Sequence, residues 1–154
     1  MEFKIVQVRN SQNNFEKSLL NKIARVANGL EREVENELKV SFALTFSQFR
    51  VLNGLFTLGE ASQRELASNL EVTPAVVTRQ AEALGSRGLV VQRPNPRSKR
   101  ENLLSLTPKG ERAVFEAAAA ISERQKRFFE PLSLRDETAF ERGIDVLLKH
   151  WMEM

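Results

Sequence analysis

Residues 72–88 read V-T-P-A-V-V-T-R-Q-A-E-A-L-G-S-R-G and predict one short helix with a defined start and a defined end. Thr73 can cap the helix with its hydroxyl, and Pro74 suits the first helical position because its missing N–H needs no partner there. Gly88 supplies a residue that readily adopts left-handed backbone angles just after the helix. The rest of the chain is expected to position this helix.

The predicted helix has a core-facing side and an outward side. Val77, Ala81 and Leu84 recur at spacings of four and three residues and should face a core. The outward positions are Ala75, Val76, Thr78, Arg79 and Glu82. A face of small side chains with one arginine suits the major groove of DNA, where arginine can pair with guanine and methyl groups can contact thymine. An ordinary solvent-facing helix is the alternative interpretation.

The composition of the 154 residues favours one globular domain and excludes several kinds of chemistry. The chain has no cysteine, which excludes disulfides, thiolate metal sites and thiol-based redox sensing by this chain. It also has no tyrosine, and its single histidine, His150, lies near the end. A catalytic triad or a histidine-based metal centre cannot be assembled, so we expect no enzyme, cofactor or metal. Composition alone leaves carboxylate catalysis open, although the many glutamates occur in helical, solvent-facing contexts.

The N-terminus shows no apolar leader segment. No apolar run approaches the roughly 18 residues that a membrane span needs. We therefore expect a cytoplasmic protein.

The positive charge is concentrated in one quarter of the chain. Residues 72–100 contain six basic residues and one acidic residue, a net charge of +5, whereas the whole chain carries +3 and the remainder therefore −2. Such a confined basic surplus is typical of a surface that binds phosphate groups.

Both ends of the chain are expected to form long helices. Apolar residues step by three and four from residue 11 to about 39, namely Phe15, Leu19, Ile23, Val26, Leu30, Val34 and Leu38. Another helix should start at Thr107 and Pro108 and end near Pro131. The last should start at Ser133 and bury Leu134, Phe140, Ile144, Leu147, Leu148 and Trp151. Helices of this length exceed what the middle of the chain can cover, which predicts a homodimer. Residues 1–10 are either an arm that packs on the partner subunit or a frayed end.

Two capping boxes mark the starts of two further helices before residue 72. Thr45 and Gln48 should start a helix over 44–58, and Ser62 and Glu65 should start a shorter one. The residues expected to be buried are Phe49, Leu52, Leu55, Phe56, Leu66, Ala67 and Leu70. The shorter helix and the helix after Thr73 are joined by three or four residues, which is the spacing of a helix-turn-helix.

A basic hairpin is expected directly after the helix pair. Residues 89–93 and 102–106 predict two strands, and the segment between them, P-N-P-R-S-K-R-E, predicts a charged turn. A basic hairpin in this position is typical of a wing that contacts DNA. A solvated hairpin tip with incidental charge is the alternative.

The ordered set L-T-F-S-Q-F-R-V-L, R-E-L-A, V-T-P-A-V-V-T-R-Q-A-E-A-L, R-G-L-V and L-S-L-T-P-K-G resembles the MarR family of bacterial transcriptional regulators. The similarity covers residues 44–110 closely and the flanking helices by length and placement. It implies a mainly α fold with a small β-hairpin wing. We therefore expect a single domain over 1–154, with a winged helix-turn-helix core at 44–107 and dimerisation helices at 1–43 and 108–154.

The resemblance also implies a function and a set of contacts. It implies a homodimer that binds double-stranded DNA at a palindromic operator, as a regulator and most simply a repressor. Carried over by position, the contacts to DNA would come from Ser62, Thr73, Pro74, Ala75, Val76, Thr78 and Arg79, and in the wing from Arg97, Lys99 and Arg100. The family wing usually carries an aspartate two residues before the last arginine, and here that position is Ser98.

Many members of the family are released from DNA by a small aromatic or phenolic effector. Phe42, Phe46, Phe49 and Phe115, with Phe128 and Phe129, could line a pocket for such a ligand, although aromatic residues at helical spacing are more often core. A different functional class also stays open, in which the winged helix is a protein-interaction module of a larger assembly. A response to DNA that does not depend on salt would favour that module.

Overall fold

The computed structural model describes residues 17–96 and 98–154. Their helices are α1 (Leu19–Phe42), α2 (Phe46–Leu58), α3 (Gln63–Asn69), α4 (Pro74–Ser86), α5 (Pro108–Phe129) and α6 (Leu134–Met152). Their strands are β1 (Glu60–Ser62), β2 (Val90–Asn95) and β3 (Ser98–Leu106). The predicted fold class, mainly α with a small β wing, is confirmed. None of these helices combines the length and the apolar character that crossing a lipid bilayer requires.

Helix α1 extends three residues beyond its predicted end at residue 39. Ala43 follows it with a φ of 51°, and its N–H donates to the carbonyls of Leu38 and Lys39. This left-handed residue closes the helix in the place where glycine is more common. The predicted start of the helix at residue 11 and the predicted arm at 1–10 lie outside the described residues.

Both predicted capping boxes are confirmed. The N–H of Gln48 donates to the hydroxyl oxygen of Thr45 at 3.1 Å, and the N–H of Thr45 donates to the Gln48 side chain at 3.0 Å. Ser62 and Glu65 repeat this exchange at 3.2 and 2.7 Å. These pairs satisfy backbone donors that the first helical turn leaves without partners, so they fix where α2 and α3 begin.

Helix α4 starts and ends as predicted, but one detail of its start differs. The Thr73 side chain makes no capping hydrogen bond, so the predicted hydroxyl cap is wrong. The Val76 N–H, which a capping side chain could have used, donates instead to the Thr73 backbone carbonyl at 3.0 Å. At the other end Gly88 has a φ of 69°, and the Leu89 N–H donates to the Leu84 carbonyl at 3.0 Å. The glycine thus ends the helix as the sequence predicts.

The wing is a three-stranded antiparallel sheet with the order β1-β3-β2. The predicted strands at 89–93 and 102–106 form its hairpin, β2 and β3, and both extend further toward the tip. The register shifts between Pro94 and Asn95. Strand β1, which the sequence did not predict, pairs its last residue, Ser62, with Leu103 of β3.

The core lies around α2, which packs against α1, α4, α5 and β3. The apolar faces predicted for α2, α3 and α4 are buried at Leu52, Leu55, Leu66, Ala67, Val77, Ala81 and Leu84, and Phe49 and Leu70 pack on this core half-buried. Phe56 is 53% exposed, so its predicted burial is wrong. The buried stripe of α2 runs through Val51, Leu52 and Leu55, and Phe56 lies beyond its edge.

The burial predicted for α6 is wrong within the described chain. Only Ile144 is half-buried, whereas the exposed predicted residues are Leu134, Phe140, Leu147, Leu148 and Trp151. Helix α6 has the expected amphipathic spacing, but among the described residues little packs along its apolar side. The first half of α1 is also largely exposed, with Leu19 at 72%. The buried residues of α1, Val34 and Leu38, lie in its second half.

Candidate nucleic-acid interface

The outward face of α4 is built as the sequence predicts. Ala75, Arg79 and Glu82 are exposed, and Val76 and Thr78 are half-buried. The opposite face is held by the fully buried Val77 and Leu84 and by Ala81. The helix therefore presents small side chains and one guanidinium from a fixed position on the core.

Gln63, the first residue of α3, belongs to the same surface and was missed in the sequence analysis. The Thr78 hydroxyl donates to the Pro74 carbonyl at 2.9 Å and lies 3.2 Å from Oε1 of Gln63. The contact brings the start of α3 against the middle of α4. The signal available in the sequence was position alone, because Gln63 directly follows the cap of the first helix in a predicted helix-turn-helix.

Ser62, which the resemblance implies as a DNA contact, is largely buried at the start of α3. Its side chain is only 4% exposed, and its hydroxyl oxygen accepts the Glu65 N–H. A buried cap cannot offer its hydroxyl to a ligand outside the protein, so we leave Ser62 out of the proposed contacts. Thr73, the residue before α4, and Pro74, its first residue, are both exposed.

Among the basic side chains of the 72–100 segment that the structure describes, two interact within the protein. Arg93 of β2 forms a two-point ion pair with Glu60 of β1, and this hydrogen bonding and charge raise the pKa of Arg93 above its ordinary value. Arg87 donates to the backbone carbonyls of Phe42 and Ala43. The charge available for an external partner is therefore smaller than the sequence count.

The wing also contacts the helix-turn-helix through a pair of charged side chains. Arg64 of α3 and Glu101 of β3 approach to 3.8 Å, although Arg64 is 83% exposed. Strand β3 begins at Ser98, which is paired with Asn95 across the hairpin. Arg97, and the side chains of Lys99 and Arg100, lie outside the described residues, so their predicted contacts stay predictions.

The phenylalanines predicted to line one ligand pocket are separated in the chain. Phe46, with Phe128, borders an open groove of about 1220 Å³ between α1 and the start of α2. Phe42 lines a separate cavity of about 210 Å³, and Phe115, which is 74% exposed, lines a shallow one of about 280 Å³ beside Phe56. Phe49 packs against the core. The four residues therefore form no common pocket within one chain.

A helix-turn-helix followed by a hairpin, with the second helix exposed on one face, defines the class of winged-helix DNA-binding proteins. The family model described as "MarR family" matches residues 44–102. The chain is 32% identical over 124 residues to the uncharacterized HTH-type transcriptional regulator YdcH of Bacillus subtilis, covering 78% of this chain and 82% of the relative. The chain belongs to the MarR family of transcriptional regulators.

Solved structures agree with the fold. A mutant of the Escherichia coli MarR protein in complex with operator DNA is 24% identical and superposes with a TM-score of 0.77, covering 88% of this chain and 96% of that one. The regulator BpsR of Bordetella bronchiseptica is also 24% identical, with a TM-score of 0.76 and coverages of 91% and 96%. The DNA binding of BpsR is regulated by 6-hydroxynicotinic acid.

Proposed function

We propose that the protein is a sequence-specific regulator, acting as a repressor, that binds a palindromic operator as a homodimer in the cytoplasm. The observation that carries this proposal is the outward face of α4, where Arg79 stands among Ala75, Val76 and Thr78 on a helix anchored by its opposite side. Small side chains let the backbone of the helix approach base edges, and arginine can pair with guanine through two hydrogen bonds. The operator complex of the Escherichia coli relative supports the same mode of binding.

The homodimer is supported by apolar surface that the single chain leaves exposed. Leu147, Leu148 and Trp151 of α6 are 56%, 55% and 74% exposed, and Leu19 and Leu20 at the start of α1 are 72% and 68% exposed. A soluble domain rarely leaves so many large apolar side chains in contact with water on its terminal helices. We propose that a second copy covers them, and binding to two successive half-sites would then require the two α4 helices to lie about 34 Å apart, one turn of DNA.

Footprinting on the DNA that flanks the protein's own coding region tests this function. We expect protection of a palindrome of roughly 16 to 20 base pairs, with an affinity that falls steeply as salt rises. A matched DNA with the half-sites scrambled is the control. Equal, salt-insensitive binding to both DNAs would contradict the proposal and favour a protein-interaction module.

Release by a small aromatic acid is the finer part of the proposal. The groove between α1 and α2 is bordered by the rings of Phe46 and Phe128. Its charged lining has four basic residues, Lys22, Arg25, Arg32 and Arg50, against two carboxylates, Glu31 and Glu35, and this positive excess favours an aromatic anion. The regulation of DNA binding of BpsR by 6-hydroxynicotinic acid supports this proposal. Repeating the footprint with aromatic carboxylates, and with cyclohexane carboxylate as a matched non-aromatic control, would detect the release. Unchanged protection with every acid would contradict it.

A further inference from the structure

We propose that Arg87 is a positioning residue that fixes the end of the recognition helix α4 to the end of α1 and thereby sets the half-site spacing that the dimer accepts. This inference rests on the proposed function. It concerns the distance between the two recognition helices and not the bases that each helix reads.

The Arg87 side chain spans two elements that are 44 residues apart in the chain. Its Nη1 donates to the carbonyl of Ala43 at 2.7 Å, and its Nη2 donates to the carbonyl of Phe42 at 2.9 Å. These carbonyls lie at the C-terminal end of α1, where no further turn of helix supplies a donor and where the helix dipole places partial negative charge. The guanidinium provides both donors and the matching charge, so this is a charge-assisted, two-point contact.

The backbone of Arg87 is held as well. Arg87 is the C-cap residue of α4, directly before the left-handed Gly88. Its carbonyl accepts a hydrogen bond from Nζ of Lys109, in the first turn of α5, at 3.0 Å. One residue therefore connects the end of the recognition helix to both long helices, α1 and α5.

The Arg87 contact matters because hydrophobic packing links α4 to α1 only weakly. Helix α4 packs on α2, and α2 packs on α1, so the hydrophobic contact between α4 and α1 is mainly indirect. Arg87 connects the two helices directly. The apolar surfaces proposed to pair in the dimer lie on α1 and α6. A rigid link from α1 to α4 fixes the distance between the two recognition helices, and loss of the link should let each helix adjust.

Titrations of the operator identified by footprinting test this inference. Fluorescence anisotropy would compare the native half-site spacing with spacings one and two base pairs longer or shorter. We expect Arg87→Ala to lower affinity for the native spacing about tenfold, the loss typical of a charged hydrogen-bonded contact. We also expect its preference for the native spacing over the altered ones to shrink. Arg87→Lys should be intermediate, because an ammonium group lacks the fork that meets two carbonyls together.

Arg93→Ala is the matched control, since it removes the same charge from the same segment without touching α1. It should keep the spacing preference of the unmodified protein. Thermal melting reports whether each variant folds. If Arg87→Ala does not fold, the spacing preference of Arg87→Lys tests the inference in its place. An equal loss of affinity at every spacing would overturn the inference, because it would show a structural role only. Indifference of the unmodified protein to spacing would instead overturn the proposed dimeric function itself.

Discussion

Arg79 projects from the exposed side of α4 between small neighbours, so its guanidinium can reach a partner outside the protein. We expect Arg79→Ala to cost about 1 to 3 kcal/mol of operator binding and to relax preference at one symmetric position, if the arginine reads a guanine. Titration against operators substituted at each position measures this. Circular dichroism shows whether the fold survives.

Arg79→Lys separates base reading from phosphate binding. It keeps the charge but loses the planar fork. If Arg79 contacts only phosphate, the lysine variant should bind nearly as well as the unmodified protein, and the alanine variant should weaken all sequences alike. Unchanged affinity of Arg79→Ala would remove this residue from the interface.

Glu35 provides a pH-dependent contact between α1 and α2. Burial raises the pKa of Glu35, but the hydrogen bond from Lys39, the hydrogen bond from the Phe46 N–H and the charge of Lys39 outweigh it and hold the pKa below its ordinary value. The folded-state pKa is therefore below the unfolded one. The stabilisation is fully present above the unfolded-state pKa of a glutamate, about 4.3, and is lost as the pH falls through the folded pKa.

Replacing Glu35 tests this dependence. Glu35→Gln should lower the free energy of unfolding by about 1 kcal/mol at pH 7, because the acceptor loses its charge. The difference from the unmodified protein should shrink as the pH falls below about 4.3 and through the folded pKa of Glu35. Urea denaturation across this range measures it, with Glu31→Gln as the control that removes an exposed carboxylate from the same helix. A difference that is constant with pH would contradict the assignment.

At the scale of the elements, we expect the wing to bind DNA mainly through the total positive charge of its basic side chains. Ser98 replaces the carboxylate that could orient Arg100, so Lys99→Ala and Arg100→Ala should lower operator affinity by similar factors. Each should reduce the salt slope by about one unit per half-site, because each lost phosphate contact releases one fewer counterion. Titrations at several salt concentrations measure both quantities. A far larger loss of operator affinity for Arg100→Ala, with an unchanged salt slope, would contradict this account and show that Arg100 makes a specific contact in the groove.

Ser98→Asp tests orientation against charge in the same hairpin. The new carboxylate adds negative charge near phosphates but can hold the guanidinium of Arg100. Better discrimination for A·T-rich flanks would show that orientation matters more. Weaker binding to all sequences would show that charge matters more.

The elements also differ in how far the sequence could predict them. The starts of α2 and α3 follow from capping boxes that involve residues three apart, and the buried face of α4 follows from helical spacing. Strand β1 has only three residues, too few for an alternating pattern, and exists because β3 lies beside it. The contacts of Arg87 likewise depend on a chain segment 44 residues away, which no local pattern encodes.

For the whole molecule, the amphipathic pattern of α6 correctly marks an apolar face but does not show what covers it. The pattern predicted burial, whereas Trp151 is 74% exposed in the single chain. The spacing of apolar residues indicates which face of a helix avoids water. It does not indicate whether that face packs against the same chain or against another one. This explains why burial was predicted well in the winged core and wrongly in α6.

A charge placed on that face tests the dimer. Trp151→Glu should shift the protein toward monomer in sedimentation at micromolar concentration and weaken operator binding, because one charge would be buried in an apolar interface. Phe56→Glu is a control, since Phe56 is also a large exposed apolar residue, at 53%, but lies on α2 of the winged core and outside the predicted dimerisation helices. A folded monomer of the unmodified protein at that concentration would contradict the proposed dimer.

Ser62 belongs to two structures at once, since it pairs with Leu103 in the sheet and caps α3. An insertion at the base of the hairpin would shift β3 against β1, so either the pairing of Ser62 with Leu103 would be lost or the start of α3 would have to move with β1. Toward the hairpin tip the strand register is already irregular, between Pro94 and Asn95. Length changes in this wing should therefore be tolerated at the tip and rejected at the base, which makes wing length a property that evolution can vary without disturbing the helices behind it.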